Sequence, residues 1–467
     1  MKHNISPEVE KMTDYSALAY SLPENVMMYK YSGRTEDELR QIDFWLSRDI
    51  PDAMRSALLL ERETAVRIAD EYCLTFDEAL GVIRNARPDF TPAQLTAMME
   101  DGRAEWRLVN NEIRFHEDFP AAAEIHSPSE TLPPDDDDGR PSETDLTIKR
   151  MKERGECAVR MKISHTMKIS SPDLADGETV IGHLPLPIPT DTQSGIEWSA
   201  EIEGSEGEIL AGPEDAAQRT VRFAAPYRDG MTFSLSYSLT RREPYHRLDP
   251  DIASCDLPGS DVSPDDLSEQ WPHIRFTPYL RALEKELSAE ETNPLIRARR
   301  FYDWMMDHLV YSYMRSYGSI DNIAEFAAVN RRGDCGVQAL LFITLCRIAG
   351  IPARWESAHS CKFGHIGSHD WARFYVAPYG WLFCDPTNGD GHSTIEGVSR
   401  RDFYFGHVDP RRIACNRRFM TPLSPEKRYD RYDPTDSQSG ECETDSRPLR
   451  RSEFSTRRVN ESTEVID

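Results

Sequence analysis

Arg332-Gly333-Asp334-Cys335-Gly336, Gly350-Ile351-Pro352-Ala353-Arg354, Gly364-His365-Ile366-Gly367-Ser368-His369-Asp370-Trp371 and Gly380-Trp381-Leu382-Phe383-Cys384-Asp385-Pro386-Thr387-Asn388 follow one another in the chain. Between the first two blocks, Val337, Leu340, Leu341, Ile343, Thr344, Leu345 and Ile348 give a broad apolar surface suited to a buried helix. Gly350 and Pro352 stand where a helix C-terminus favours them. Cys335 is thereby placed at or near a helix N-terminus. Unpaired N–H groups and the positive end of the dipole favour a thiolate there, and the same N–H groups can hold an oxyanion.

The run from His369 to Val376 reads as a strand, Ala377-Pro378-Tyr379-Gly380 as a turn, and Trp381 to Asp385 as the returning strand, cut by Pro386. Such a hairpin carries His369 and Asp385 within a few positions of each other. A thiol, an imidazole and a carboxylate in one unit are the parts of a nucleophile, its base and the group that orients the base. His359, His365 and His392, read as loop residues, are alternative bases. Asp370 is expected to face away from the site. Cys335, Cys346, Cys361, Cys384, His365 and His369 are also soft metal ligands, but without a second closely spaced ligand pair they argue poorly for zinc.

Working outward, helices are expected from Pro278 to Leu287 and from Pro294 to Leu309, so residues 271–425 form one α+β unit. Residues 155–245 change to a period of two: Val159, Met161 and Ile163 alternate with Arg160, Lys162 and Ser164, and Phe233, Leu235, Tyr237 and Leu239 alternate with serines. Several short strands at this spacing predict a β-sandwich over 146–250. Upstream, Pro133-Pro134-Asp135-Asp136-Asp137-Asp138 marks an acidic, proline-rich linker over 126–145; its spacing is not that of a calcium-binding EF-hand loop. Residues 1–125 read as a helical accessory domain. Thr75-Phe76-Asp77-Glu78 and Thr91-Pro92-Ala93-Gln94 are capping boxes, and Asn110-Asn111 is a candidate hairpin turn. The tail, 426–467, has little to bury and reads as disordered.

The chain of 467 residues has a formal net charge of -25, 39% hydrophobic residues and a mean hydropathy of -0.60. That charge argues against nucleic acid or an anionic membrane as partner, since both recruit clustered Lys and Arg. Nothing near Met1 resembles a secretory signal and no apolar run is long enough to span a bilayer, so the expected location is cytoplasmic. The nine cysteines are scattered and never spaced C-x-x-C, which suits reduced thiols better than a disulfide framework.

Gly333-Asp334-Cys335, Leu345-Cys346-Arg347 with Gly350-Ile351-Pro352-Ala353-Arg354, His369-Asp370-Trp371, and Gly380-Trp381 with Asp385-Pro386-Thr387 resemble the transglutaminase-like superfamily of papain-type cysteine enzymes. The Leu184-Pro185-Leu186-Pro187 and Arg219-Thr220-Val221 segments are similar to the β-domain that precedes this core in bacterial members. The resemblance implies helices packed on an antiparallel sheet and a Cys335, His369, Asp385 triad. It also implies no organic cofactor, a protein or peptide substrate, and acyl transfer or hydrolysis of an amide through a thioester. Calcium dependence is not implied. Tyr311 is a candidate side-chain oxyanion donor. Because the family includes members with degraded triads, a non-catalytic interaction platform on the same fold is the alternative.

Overall fold

The computed structural model describes residues 20–117, 119, 142–257, 261–312, 314–362, 365–389, 393, 395–429, 431 and 435–466. It is a mixed α/β molecule with several antiparallel sheets. Most of the acidic linker, and with it His392, lies outside the described residues, as do Phe363 and Gly364.

The N-terminal helices span Glu24–Tyr31, Thr35–Leu46, Asp52–Glu71, Phe76–Ala86 and Pro92–Glu100. Both capping boxes form: Thr75 and Thr91 accept from the third backbone N–H, and Glu78 and Gln94 reach back. Strands β1 (Trp106–Val109) and β2 (Glu112–Phe115) are joined at Asn110 and Asn111, whose φ angles of 50° and 69° are the left-handed values asparagine tolerates in a tight hairpin turn. This region rests on the C-terminal half. Tyr31 Oη donates to Asp321 Oδ2 at 2.8 Å, Arg315 pairs with Glu105 at 3.5 Å, and Arg332, two residues before the Asp334 cap, donates to the Gly102 carbonyl.

After the helix Glu143–Arg154 come β3 (Glu156–Ile169), β4 (Thr179–Pro185), β5 (Gln193–Glu203), β6 (Glu208–Ala211), β7 (Gln218–Pro226) and β8 (Thr232–Pro244). Beyond the helices Pro278–Ser288 and Pro294–His308 lie β9 (Val310–Tyr311), the helix Ile323–Asn330, β10 (Arg332–Gly333) and the helix Cys335–Ile348. Then follow β11 (Ala353–Lys362), β12 (His365–Val376), β13 (Gly380–Cys384), β14 (Phe405–Gly406), β15 (Arg412–Asn416), β16 (Leu423–Ser424), β17 (Glu441–Thr444) and β18 (Phe454–Ile466).

The strands of 146–250 do not close on themselves as a separate sandwich. β3, β5 and β8 join β18 in a four-stranded sheet ordered β18-β3-β8-β5. β4, β6 and β7 belong to a ten-stranded sheet whose path runs β14-β13-β12-β11-β15-β7-β4-β17. Two sheets do pack face to face, but Met161, Ile163 and Leu235 meet Ala358, Cys361, Ile413 and Cys415 as well as Val221 and Phe223. Period-two alternation tells which face of a strand is buried; it does not name the strand that completes the ladder.

The tail departs from expectation too. β18 pairs with β3 from Phe454↔Ile169 to Ile466↔Ala158, and β17 pairs with β4. β18 is an edge strand whose side chains are mostly exposed or half-buried, so backbone hydrogen bonds rather than apolar burial hold it. Composition misses that term. Buried ion pairs fix the approach: Lys427 to Glu443 at 2.9 Å and Arg431 to Glu441 at 2.8 Å.

The other core lies under the helix Cys335–Ile348. Val337, Leu340, Leu341, Phe342 and Leu345 pack against Ala353 and Trp355 of β11, Ala372 and Phe374 of β12, and Leu280, Leu295 and Phe301 of the two preceding helices. Each fully buried Leu or Phe contributes about 1.5–3 kcal/mol, enough collectively to fix the helix against the sheet. No described helix is long and apolar enough to cross a membrane.

Candidate active site

The Cys335 helix starts where it does because Asp334 caps it. Asp334 Oδ1 accepts from the Val337 amide at 3.1 Å and from the Tyr317 hydroxyl. β10 pairs with β9 just before the cap, setting Gly333 beside Tyr311. Gly336 follows the cysteine under tight constraint: a Cβ there would stand 2.7 Å from Asp370 Oδ2 and 2.9 Å from the Trp355 ring, and would collide with the Tyr317 hydroxyl.

β12 runs past this helix end. Ala372, Phe374 and Val376 share the helix-side core, whereas Trp371 packs on the opposite face with Ile188, Phe383, Val408 and Ala414. By the alternation of the strand, Asp370 belongs to the helix side and His369 to the other. The expectation that Asp370 faces away from the site is therefore corrected. The Cys335 thiol donates to Asp370 Oδ2 at 3.4 Å, and the Asp370 amide N–H donates to the sulfur. The sulfur thus lies against the His369–Asp370 peptide.

β12 and β13 pair through Ala372↔Cys384, so Asp385 leaves its strand near the Trp371 level, two residues from His369. His369 Nε2 and Asp385 Oδ2 are 2.8 Å apart. Asn388 Nδ2 lies 3.0 Å from the same Nε2; in the tautomer whose Nε2–H donates to Asp385, the neutral imidazole has its lone pair on Nδ1. Asp385 is wholly buried and heavily solvated by protein. Oδ2 also accepts from Arg412 Nη2 and Asn388 Nδ2, each at 2.9 Å, and Oδ1 accepts from Thr387 Oγ1 at 3.1 Å. Burial alone would raise this carboxyl, but His369 and Arg412 outweigh it and hold Asp385 well below the usual carboxylate range.

The cysteine side has the opposite electrostatics. Burial first, then the Asp370 and Asp334 carboxyls, push the Cys335 thiol well above its ordinary range. Desolvation and the neighbouring acids thus oppose the pull of the helix N-terminus towards a thiolate. Burial, then Asp436 and Asp334, also raise Asp370 far above an ordinary carboxyl. Gln438 Nε2 donates to Asp370 Oδ1 and, at 2.9 Å, to Asp436 Oδ2.

The other candidates fall as follows. His359 is not a loop residue: it lies buried in β11, with Nε2 2.8 Å from the Gln438 carbonyl oxygen and Nδ1 3.3 Å from the Tyr237 hydroxyl. His365 lies in β12, and His392 is outside the described residues. Tyr311 pairs with Gly333, two residues before Cys335, and its hydroxyl is raised by burial and then by Cys335. Cys346 and Cys384 are in the helix-side core and Cys361 is in the inter-sheet core. Among the described residues no group of three or more His, Cys, Asp or Glu is arranged to hold a metal ion. Arg412, Tyr317, Asp436 and Gln438 escaped sequence reasoning because contacts distant in sequence recruit them. Asn388 had a signal: an amide three residues after Asp385, within reach of the same turn.

A family model described as the transglutaminase-like superfamily matches residues 281–386. No curated protein matches the chain. A candidate cysteine protease from Cytophaga hutchinsonii is similar at 16% identity over 66% of this chain and 92% of that one, with a TM-score of 0.44. The periplasmic domain of TgpA from Pseudomonas aeruginosa is similar at 18% identity over 53% and 93%, with a TM-score of 0.26. The match of the family model, over the segment that holds the Cys335 helix and the β11–β13 hairpins, identifies residues 281–386 as a transglutaminase-like superfamily core.

Proposed function

We propose that the protein is a cysteine-dependent enzyme that transfers or hydrolyses the acyl group of peptide or glutamine-type amides through a thioester. Cys335 is the nucleophile, His369 its base and Asp385 the orienting carboxylate. His369 takes the thiol proton, the sulfur attacks the amide carbon, and the imidazolium returns the proton to the leaving amine. Water or a second amine then releases the acyl group. A protein or peptide in the cytoplasm is the substrate; nucleic acid and membrane are not partners.

The observation that carries this reading is the 2.8 Å contact of His369 with a buried, ionised Asp385, one residue from the Asp370 amide that touches the Cys335 sulfur. Hydrogen bonds of a resting site commonly tighten only when substrate is bound. The test is turnover of a glutamine-containing peptide library with and without an added primary amine, with mass spectrometry of Cys335 for the acyl adduct. Turnover and adduct in the wild type, both lost in Cys335→Ala, support the reading. Turnover that survives Cys335→Ala defeats it.

Two observations favour the binding platform as second reading: the thiol's hydrogen bond goes to Asp370, and the alternation of β12 turns His369 to the face away from the Cys335 helix. A platform predicts no acyl adduct on Cys335 with any peptide of the library.

A further inference from the structure

The residue next to the candidate base is the one that touches the sulfur. Asp370 Oδ2 lies 3.4 Å from Cys335 Sγ, and its other oxygen, Oδ1, accepts from Gln438 Nε2. Gln438 is itself held: its Nε2 also reaches Asp436 Oδ2 at 2.9 Å, and its carbonyl accepts from His359 Nε2 at 2.8 Å. Asp436 Oδ2 accepts in addition from Ser357 Oγ, which is fixed by Trp355 Nε1 at 3.0 Å and Asn416 Nδ2 at 3.2 Å. This chain of contacts spans β11, β12, β15 and the segment before β17, and it ends at the sulfur.

The groups that face Asp370 are Asp334 and Cys335 from the helix end, Asp436 and Gln438 from the C-terminal segment, the Tyr317 hydroxyl beside Asp334, and Ser357 opposite it on β11. Two of them are carboxyls, and like charges at close range disfavour a second ionisation. Asp436 hydrogen-bonds Asp370 directly as well, so the two carboxyls share a proton beside the sulfur that Asp370 Oδ2 faces.

We propose that Asp370 is a further catalytic residue, a carboxylic acid that donates a hydrogen bond to the Cys335 sulfur as the thiolate forms, with Gln438 as its positioning residue. The proposal rests on Cys335 being the nucleophile. In the step, the S–H bond breaks and its proton passes to the His369 imidazole. The sulfur electron pair forms the C–S bond, and the imidazolium gives its proton to the nitrogen as the C–N bond breaks. Asp370 keeps its own proton throughout. A nearby neutral acid is a donor to the thiolate; the same group ionised repels it, so thiolate formation is favoured while Asp370 holds its proton.

The test follows alkylation of Cys335 by iodoacetamide in the full-length wild type, Asp370→Asn, Asp370→Ala and Gln438→Ala, read by peptide mass spectrometry from about pH 5 to pH 9. Thermal melts verify that each variant is folded. Asparagine keeps an acceptor for Gln438 and an N–H for the sulfur but cannot ionise. Asp370→Asn is expected to match the wild type on the acid side and exceed it on the alkaline side, where the wild-type carboxylate forms. Asp370→Ala is expected to be slower than both on the acid side by about tenfold, the weight of one charge-assisted hydrogen bond. A merely structural Asp370 would not make the two profiles diverge with pH. The proposal is overturned if Asp370→Ala alkylates as fast as the wild type, or if Asp370→Asn is as slow as Asp370→Ala. Failure of the nucleophile reading registers separately, as peptide turnover that survives Cys335→Ala.

Discussion

Arg412 Nη2 and Asp385 Oδ2 lie 2.9 Å apart, both wholly buried, and the same oxygen receives His369 Nε2 at 2.8 Å. One carboxylate therefore neutralises a buried guanidinium and orients an imidazole. Arg412 spreads its charge further, reaching Asp409 at 3.2 Å and Ser360 Oγ at 2.7 Å. The candidate base is anchored from a strand 27 residues beyond Asp385, so the site depends on β15 as much as on the hairpin that bears His369.

Asp385→Asn is expected to damage stability and activity together. An amide leaves Arg412 with Asp409 alone, and removing one partner of a buried ion pair costs up to about 3–5 kcal/mol. The change also removes the group that fixes the imidazole tautomer, for which a loss of about 10⁴ in kcat is the template. Asp385 is depressed in the folded state, so its contribution is present above the ordinary carboxylate pKa of about 4 and is lost as pH falls through the folded value. Urea unfolding at neutral and acid pH checks this. A variant as stable as the wild type at neutral pH, with the same fall towards acid, contradicts the arrangement.

Acid unfolding should also begin well above that range. Burial lowers His165 and His273 to about 3 and His407 to about 4, with Arg458 adding to the effect at His165. Their folded values lie below the unfolded value of about 6.5, so between the two the unfolded chain binds protons that the folded chain refuses. Stability therefore falls as pH drops through about 6.5, by about 1.4 kcal/mol per pH unit for each such histidine. Denaturant midpoints measured from pH 7 downward read the slope, and His165→Gln should flatten it. An unchanged slope in that variant would remove His165 from the account.

Local sequence carried the parts whose reasons are local. The capping boxes at Thr75 and Thr91, the Asn110-Asn111 turn and the start of the Cys335 helix at Asp334 each depend on residues three or four positions apart. Partners distant in the chain were not legible. Nothing around Arg431 or Glu441 announces that these residues pair in the interior, and β18 carries too few apolar residues to be read as a strand. Within the site, the His369–Asp385 pairing follows from a hairpin. The contact of Asp370 with Cys335 depends on which face of β12 the helix end meets, and period-two patterning alone could not say.

Gly336→Ala tests how tightly the helix end is packed. The added methyl would press on Asp370 Oδ2, the Trp355 ring and the Tyr317 hydroxyl. Within the helix an alanine is otherwise preferred to glycine by about 1 kcal/mol, so an open site would gain stability. Overpacking of this kind typically costs about 1–3 kcal/mol, and all three neighbours are ring or strand residues. A fall in thermal midpoint and slower alkylation of Cys335 are expected. A rise in midpoint would mean that the helix end yields freely.

Removal of β18, by a stop after Glu453, separates its two roles. The strand completes the sheet beside β3, and through Arg458 Nη1 it holds Ser368 Oγ at 3.0 Å and the Gln438 carbonyl at 3.4 Å. Without it β3 becomes an unprotected edge with a long row of unpaired backbone groups, a template for pairing with another copy. Light scattering should show self-association, and hydrogen exchange should show faster β3 amides. The cysteine side should respond as well, because Gln438 loses one of its anchors while the helix-side core under Cys335 is untouched. Slower Cys335 alkylation with normal protection of the Leu340–Leu345 amides would place the effect in the Gln438 contact. Equal protection of β3 in the full and shortened chains would show that β18 is not part of the sheet in solution.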